Sequence, residues 1–321
     1  MTPFDGVVGQ DTAIHLLERA IAQQRIAPGY LFAGPEGVGR RRVATGLATC
    51  LLGGQDHPVI QRRIGDLNHP DLLWVAPTYL HQGKPITPVE AEERGIKRKS
   101  PPQIRLEQIR DVARFLSRPP LEAPQAVVVL EGAETMAEAA ANGLLKTLEE
   151  PGKATVILLA PDTAALLPTL VSRCQTIPFR RLSPADLATA LTAQGHGDIV
   201  QQPELLALAQ GSPGAAIAAW ETLQQLPREI LAAVDPFPST LRSALDLARL
   251  LTKTLDLETQ LWLVDYLQQR QWQRWSQTSP QGAAPMILKT LETARQRLRQ
   301  FVQPRLVWEV TLMALVPLAN R

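Results

Sequence analysis

The sequence predicts an α/β fold, a mainly parallel sheet interleaved with helices over residues 1–181, followed by helices alone. Three observations carry this prediction. Short apolar runs without polar alternation recur between helical patterns, the first run leads straight into a glycine-rich turn and a helix, and strand-like runs stop after Phe179. Such runs suit strands covered on both faces.

Taken in order, the strand candidates are 30–33, Leu72–Val75, Ala126–Leu130 and 155–160, and the helices between them fall near 41–52, 105–116 and 137–149. The stretch 79–103 carries Pro85, Pro88, Pro101 and Pro102 around Lys97-Arg98-Lys99 with little hydrophobic periodicity, and reads as a mobile surface insertion. At Ser183-Pro184-Ala185-Asp186 an N-cap serine, a first-turn proline and an acid three residues after the cap open a new helix. A helix over 204–210 stops at Gly211, and Ser212-Pro213 starts another that runs to about Leu226. We therefore expect a small helical lid over 182–226 and an all-α domain over 227–321. In the last domain Ile287, Leu291, Ala294, Leu298 and Phe301 share one helical face, and Trp262, Trp272, Trp275 and Trp308 add apolar area, which points to core or subunit packing rather than base stacking.

Composition bounds the function classes. A chain of 321 residues with 45% hydrophobic and 20% charged residues is globular, and no apolar stretch reaches the length of a membrane span. The start, Met1-Thr2-Pro3-Phe4-Asp5, has neither a basic leader nor an apolar signal core, so a soluble cytoplasmic protein is expected. A net charge of +2 does not by itself argue for nucleic-acid binding. Two cysteines, Cys50 and Cys174, cannot supply four zinc ligands, and are expected to be buried free thiols.

The most informative segment is Gly34-Pro35-Glu36-Gly37-Val38-Gly39-Arg40-Arg41. Gly34, Gly37 and Gly39 keep the frame of a phosphate-binding loop, in which backbone N–H groups wrap phosphates, a lysine reaches their oxygens and a hydroxyl ligates Mg²⁺. Here arginines hold the last two positions. Arg40 can attract phosphate, but Arg41 has no lone pair for a metal ion. The expected site is a degenerate loop that holds no nucleotide, with no metal. Glu131 then follows the apolar run Ala126–Leu130, where a hydrolase of this architecture keeps an acidic pair for Mg²⁺ and water. Gly132 occupies the second acidic position and cannot polarise water.

The run Asn142-Gly143-Leu144-Leu145-Lys146-Thr147-Leu148-Glu149-Glu150-Pro151 puts leucines on one helical face and ends on a proline stop. It strongly resembles the corresponding helix of bacterial clamp-loader subunits in the AAA+ superfamily. The resemblance extends to Ser172-Arg173-Cys174, to Val7-Val8-Gly9-Gln10, to 104–116 and to Gly211-Ser212-Pro213-Gly214, roughly the first two-thirds of the chain. It implies an AAA+ α/β domain, a lid and a C-terminal collar. With the loop impaired, it also implies a subunit without ATP hydrolysis of its own, contributing Arg173 in trans to the ATP of a neighbouring subunit. The implied partners are gamma/tau and delta subunits, the sliding clamp, and primed DNA through the assembled complex, with no membrane. Arginine fingers of this kind are worth about 10³–10⁵ in rate.

Departures from the family pattern point the same way. Of a four-cysteine zinc module common in relatives, the stretch 50–69 keeps only Cys50, so no zinc is expected, and Ala215 and Pro161-Asp162-Thr163 stand where active relatives carry polar or basic sensors. Two other readings remain open at this point. One is a self-sufficient ATPase using Arg40 with Glu131 or Glu134. The other is an autonomous DNA-binding protein using Lys97-Arg98-Lys99 with Arg295, Arg297 and Arg299.

Overall fold

The computed structural model describes residues 3–96, 100–150, 152–277, 284–300 and 302–319. Lys97-Arg98-Lys99, Pro151 and Phe301 lie outside the described residues. The chain divides into two compact units, Met1–Ala193 and Gln194–Arg321.

The first unit is built on a five-stranded sheet of β1 (Gly29–Ala33), β2 (Leu72–Val75), β5 (Ala126–Leu130), β6 (Ala154–Ala160) and β7 (Gln175–Pro178), in the order β2-β5-β6-β1-β7. All four pairings are parallel, with Val128 opposite Val156 and Leu31 opposite Leu158. Every residue of β5 and β6 is buried, which is why these strands read as unbroken apolar runs. The helices are α1 (Asp11–Ala22), α2 (Arg40–Leu51), α3 (Pro58–Gly65), α4 (Pro88–Glu93), α5 (Leu106–Leu116), α6 (Glu138–Glu149), α7 (Pro168–Val171) and α8 (Pro184–Ala193).

On α6, Leu144 and Leu148 are buried in one core with Val128, Val156 and Leu158. Each such leucine stabilises the fold by about 1.5–3 kcal/mol. Gly143 lets α5 approach, since a Cβ there would lie 3.2 Å from Leu106 Cδ1.

Two expectations need correction. The stretch 79–103 is not an unstructured insertion: β3 (Tyr79–His81) and β4 (Lys84–Ile86) form an antiparallel hairpin, followed by α4. Gln82 and Gly83 both have positive φ, 49° and 78°, as a two-residue hairpin turn requires. Pro88 starts α4 instead of breaking structure, and Thr87 and Glu90 close a capping box around it. The neck is tied where Thr78 and Gln103 exchange backbone hydrogen bonds of 3.0 and 3.1 Å. The thiols are also less enclosed than expected, with Cys50 and Cys174 both half-buried.

The second unit is helical: α9 (Pro203–Ala209), α10 (Pro213–Gln225), α11 (Arg228–Val234), α12 (Leu241–Thr254), α13 (Leu257–Gln277), α14 (Ala284–Arg299) and α15 (Pro304–Ala319). Ser212 caps α10 by accepting from the Ala215 N–H at 3.1 Å. Along α14, Ile287, Leu291, Ala294 and Leu298 are buried, and α14 packs between α13 and α15. Trp308 is fully buried, Trp262 stacks on Tyr266 at 5.3 Å, and Trp272, half-exposed, meets Trp275 edge-on. Among the described residues, no helix is long and apolar enough to cross a membrane.

Candidate functional site

The glycine-rich turn joins β1 to α2. Gly34 is crowded: a Cβ there would sit 2.4 Å from the Phe179 carbonyl oxygen, just past the end of β7. Gly37 and Gly39 adopt left-handed φ of 73° and 110°, and Gly39 is the N-cap of α2. The loop thus ends on a helix N-terminus, where backbone N–H groups lack intrahelical partners. Gln10, buried before α1, holds this region together. Its side-chain amide donates to the carbonyls of Val38 and Arg180 at 3.1 and 2.7 Å and accepts from the Arg180 N–H at 3.1 Å.

Arg40 starts α2 with its Nη1 buried and without a hydrogen-bond partner. Burial lowers its pKa from the usual arginine value, and the carboxylates of Glu134, Glu36 and Glu131 act in the opposite direction. Next to it, Arg41 turns across to the end of β5. Its Nη1 donates to Glu131 Oε2 at 2.9 Å, and its guanidinium carbon lies 5.0 Å from the centre of the Trp74 ring. The Trp74 indole N–H donates to the same oxygen at 2.9 Å. Trp74 pairs with Val129, so period-two alternation puts Trp74 and Glu131 on the same face. The carboxylate at the end of β5 is therefore engaged by the guanidinium that directly follows Arg40 at the end of the glycine loop. Gly132 follows at φ 64°, and a Cβ there would lie 2.9 Å from Pro77 Cγ, leaving no room for a water-activating side chain without a shift.

Arg173 lies elsewhere. It follows the short α7 and Ser172, just before β7. Its Nε donates to Glu149 Oε1 at 2.9 Å, its Nη2 donates to the same oxygen, and its Nη1 donates to the Thr169 carbonyl at 2.9 Å. About a third of the side chain stays exposed. The turn is seated tightly on the start of β1, where a Cβ on Gly29 would lie 3.1 Å from Cys174 Sγ and 3.2 Å from the Arg173 carbonyl oxygen. Burial pushes the Cys174 thiol up to about 11, so it stays protonated at neutral pH. Because β1 and β7 run parallel with Tyr30 opposite Gln175, Arg173 precedes the sheet at its N-terminal edge while the glycine loop leaves it at the C-terminal edge. Strands of this length separate the two by roughly 13–17 Å.

Gly34, Gly37, Gly39 and Arg40 therefore share one loop, Arg41 and Glu131 meet beside it, and Arg173 stands at the other end of the same sheet. Asp162 caps a turn by accepting from the Ala165 N–H at 2.8 Å. Arg295 is engaged by Asp265 and Glu292. In the stretch 50–69, α3 buries Ile64, and His69 leads into the buried Asp71. Among the described residues, no group of three His, Cys, Asp or Glu side chains is arranged to hold a metal. Trp74, Gln10 and the Glu149 contact were not singled out as site features from sequence. Nothing in the unbroken apolar run Leu72–Val75 marks Trp74, whose role follows only from its pairing with Val129.

Two family models match the chain. One, described as DNA polymerase III, delta subunit, covers residues 9–183, and the other, described as the C-terminal domain of cyanobacterial DNA polymerase III delta prime, covers residues 185–315. DNA polymerase III subunit delta' of Bacillus subtilis is 33% identical over 192 residues, covering 58% of this chain and 52% of that protein. The same-named subunit of Pseudomonas aeruginosa is 36% identical over 194 residues, covering 58% and 54%. The chain thus spans about half the length of these relatives. Among solved structures, a DNA polymerase III gamma subunit-related protein from Thermotoga maritima shares the fold, with a TM-score of 0.50 at 15% identity over 94% of this chain and 99% of that one. With one model covering the sheet and its site and the other the helices that follow, the chain belongs to the DNA polymerase III delta prime family of AAA+ clamp-loader subunits.

Proposed function

We propose that this chain is a non-hydrolysing subunit of a DNA polymerase III clamp loader, working in the cytoplasm with gamma/tau and delta subunits to load a sliding clamp on primed DNA. Its own loop at Gly34, Gly37, Gly39 and Arg40 stays without nucleotide, and Arg173 acts in trans on ATP held by a neighbouring subunit. The division into an α/β domain over 1–181, a lid over 182–226 and a collar over 227–321 belongs to the same proposal.

The observation that carries this reading is the placing of two arginines at opposite edges of one sheet. Arg41 neutralises Glu131 where an ATPase needs a metal-binding carboxylate, and Arg173 stands beyond reach of that loop. An arginine at the far edge can serve only a phosphate brought by another molecule. A guanidinium delivered this way offsets charge developing on the transferred phosphoryl group.

The test is Arg173→Ala in a loader reconstituted with its other subunits. DNA- and clamp-stimulated ATP hydrolysis should fall at least about tenfold, a floor well below the about 10³–10⁵ that an arginine finger can be worth. Unchanged hydrolysis overturns the assignment, and robust hydrolysis by the isolated chain overturns the non-hydrolysing reading.

A further inference from the structure

The guanidinium of Arg173 has five N–H donors. Three are used within the chain, two by the Glu149 carboxylate and one by the Thr169 carbonyl. One N–H therefore remains on each terminal nitrogen. A planar fork with one free donor on each of Nη1 and Nη2 matches the spacing of phosphate oxygens, which is the basis of bidentate recognition.

The partners that hold this fork are themselves fixed. Glu149 is the last residue of α6, directly after the buried Leu148, and Thr169 belongs to α7, beside the buried Leu170. Beneath them the Arg173 carbonyl meets the start of β1 at Gly29. Two helices and one strand thus fix both the backbone and the far edge of the side chain, and an otherwise free arginine would spread over many rotamers. The Glu149 side chain is half-exposed, so the pair is weak enough to keep its charge screened by water yet sufficient to select one orientation.

We infer that Glu149 is a positioning residue for Arg173, holding the fork by one edge so that its two remaining donors stay available to the phosphate oxygens of a nucleoside triphosphate bound by another subunit. This rests on the reading of Arg173 as acting in trans. Glu149 touches no nucleotide itself, and its effect should therefore appear in turnover and not in nucleotide affinity.

The experiment compares Glu149→Ala, Glu149→Gln, Arg173→Ala and the double variant Glu149→Ala/Arg173→Ala in the reconstituted loader, measuring kcat and KM for ATP with clamp and primed DNA. Glu149→Ala should lower kcat by about 3- to 30-fold, below the roughly 10²-fold that a misplacement of 1 Å can cost, and leave KM within about twofold. Glu149→Gln keeps an acceptor oxygen and should restore most of the rate. The double variant should be no slower than Arg173→Ala alone, because a positioning residue has nothing to act on once the arginine is gone. An unchanged or raised kcat in Glu149→Ala, with Arg173→Ala slow, overturns the inference and leaves the trans-acting arginine standing. A further loss in the double variant overturns it as well, since that marks a merely structural role. Normal turnover by Arg173→Ala removes the parent reading and this one together.

Discussion

Arg41 and Glu131 stand ninety positions apart in the chain and are joined at 2.9 Å, with the Trp74 indole N–H bonded to the same carboxylate oxygen and its ring under the guanidinium. A side chain that cannot bind a metal thus covers the carboxylate that could. An exposed ion pair contributes about 0–1 kcal/mol and a cation–π contact about 0.5–1 kcal/mol, enough to bias the arrangement.

That arrangement predicts how the loop responds to repair. Calorimetry on the wild-type chain should show no gain in ATP affinity on adding Mg²⁺. In Arg40→Lys/Arg41→Thr, Glu131 is freed and a hydroxyl and an ammonium return, so Mg²⁺ should tighten ATP binding by about tenfold or more. Turnover should stay absent, because Gly132 supplies no base. Equal Mg²⁺ dependence in the two proteins would refute the idea that Arg41 blocks the metal position.

The loop glycines differ in why they are glycine. At Gly34 the obstacle is the Phe179 backbone, whose carbonyl oxygen lies 2.4 Å from where a Cβ would stand, so Gly34→Ala should destabilise by about 1–3 kcal/mol through overpacking. For a unit of this size each kcal/mol lowers Tm by about 2–4 °C. The loss should be present whether or not nucleotide is added, and a variant as stable as wild type would show that β1 and β7 can separate at little cost.

These contacts show what a sequence reveals and what it hides. Strands β5 and β6 were legible because both faces are covered, which forces unbroken apolar runs. Strand β7 was not: it lies at the sheet edge, and of Gln175–Pro178 only Ile177 is buried, so one apolar residue among polar neighbours looks like a loop. The hairpin over 79–86 was hidden by Pro85 within it and the prolines that follow, although Gln82-Gly83 is a usable turn. At the site, the glycine loop was visible in local residue order and Arg173 was singled out only through the family resemblance, whereas the Arg41–Trp74–Glu131 contact and the Glu149–Arg173 pair depend on the sheet and helices bringing distant positions together.

Asp71 offers a pH-dependent test. Its buried carboxylate accepts N–H bonds from Leu121, Glu122 and Ala123 at 2.7–2.8 Å. Burial pushes its pKa up, but the three backbone donors outweigh this and hold it below the ordinary 3.8. A carboxylate depressed on folding contributes stability that is present above the unfolded value and lost as pH falls through the folded one. Asp71→Asn should cost about 1.5–3 kcal/mol at neutral pH. Chemical denaturation of both proteins should show this gap shrinking below pH 3.8, the ordinary value. A gap that stays constant into acid would mean that the charge of Asp71 contributes nothing.

In the helical unit, Trp308 supplies a separate prediction. Its indole N–H, on a fully buried side chain, donates to Gln260 Oε1 at 2.9 Å, while Gln260 Nε2 donates to the Leu255 carbonyl at 2.9 Å. One glutamine thereby satisfies a buried donor on α15 and an acceptor just before α13. Replacing it by leucine keeps comparable bulk but leaves the indole N–H unpaired, which should cost about 1–3 kcal/mol. Trp308→Phe alone should cost a similar amount or more, because it also leaves a void. The double variant Gln260→Leu/Trp308→Phe removes donor and acceptor together, so denaturant titration should find it less destabilised than the sum of the single changes, by about 1 kcal/mol. Strict additivity would mean that the hydrogen bond contributes no net stability and that packing alone holds Trp308.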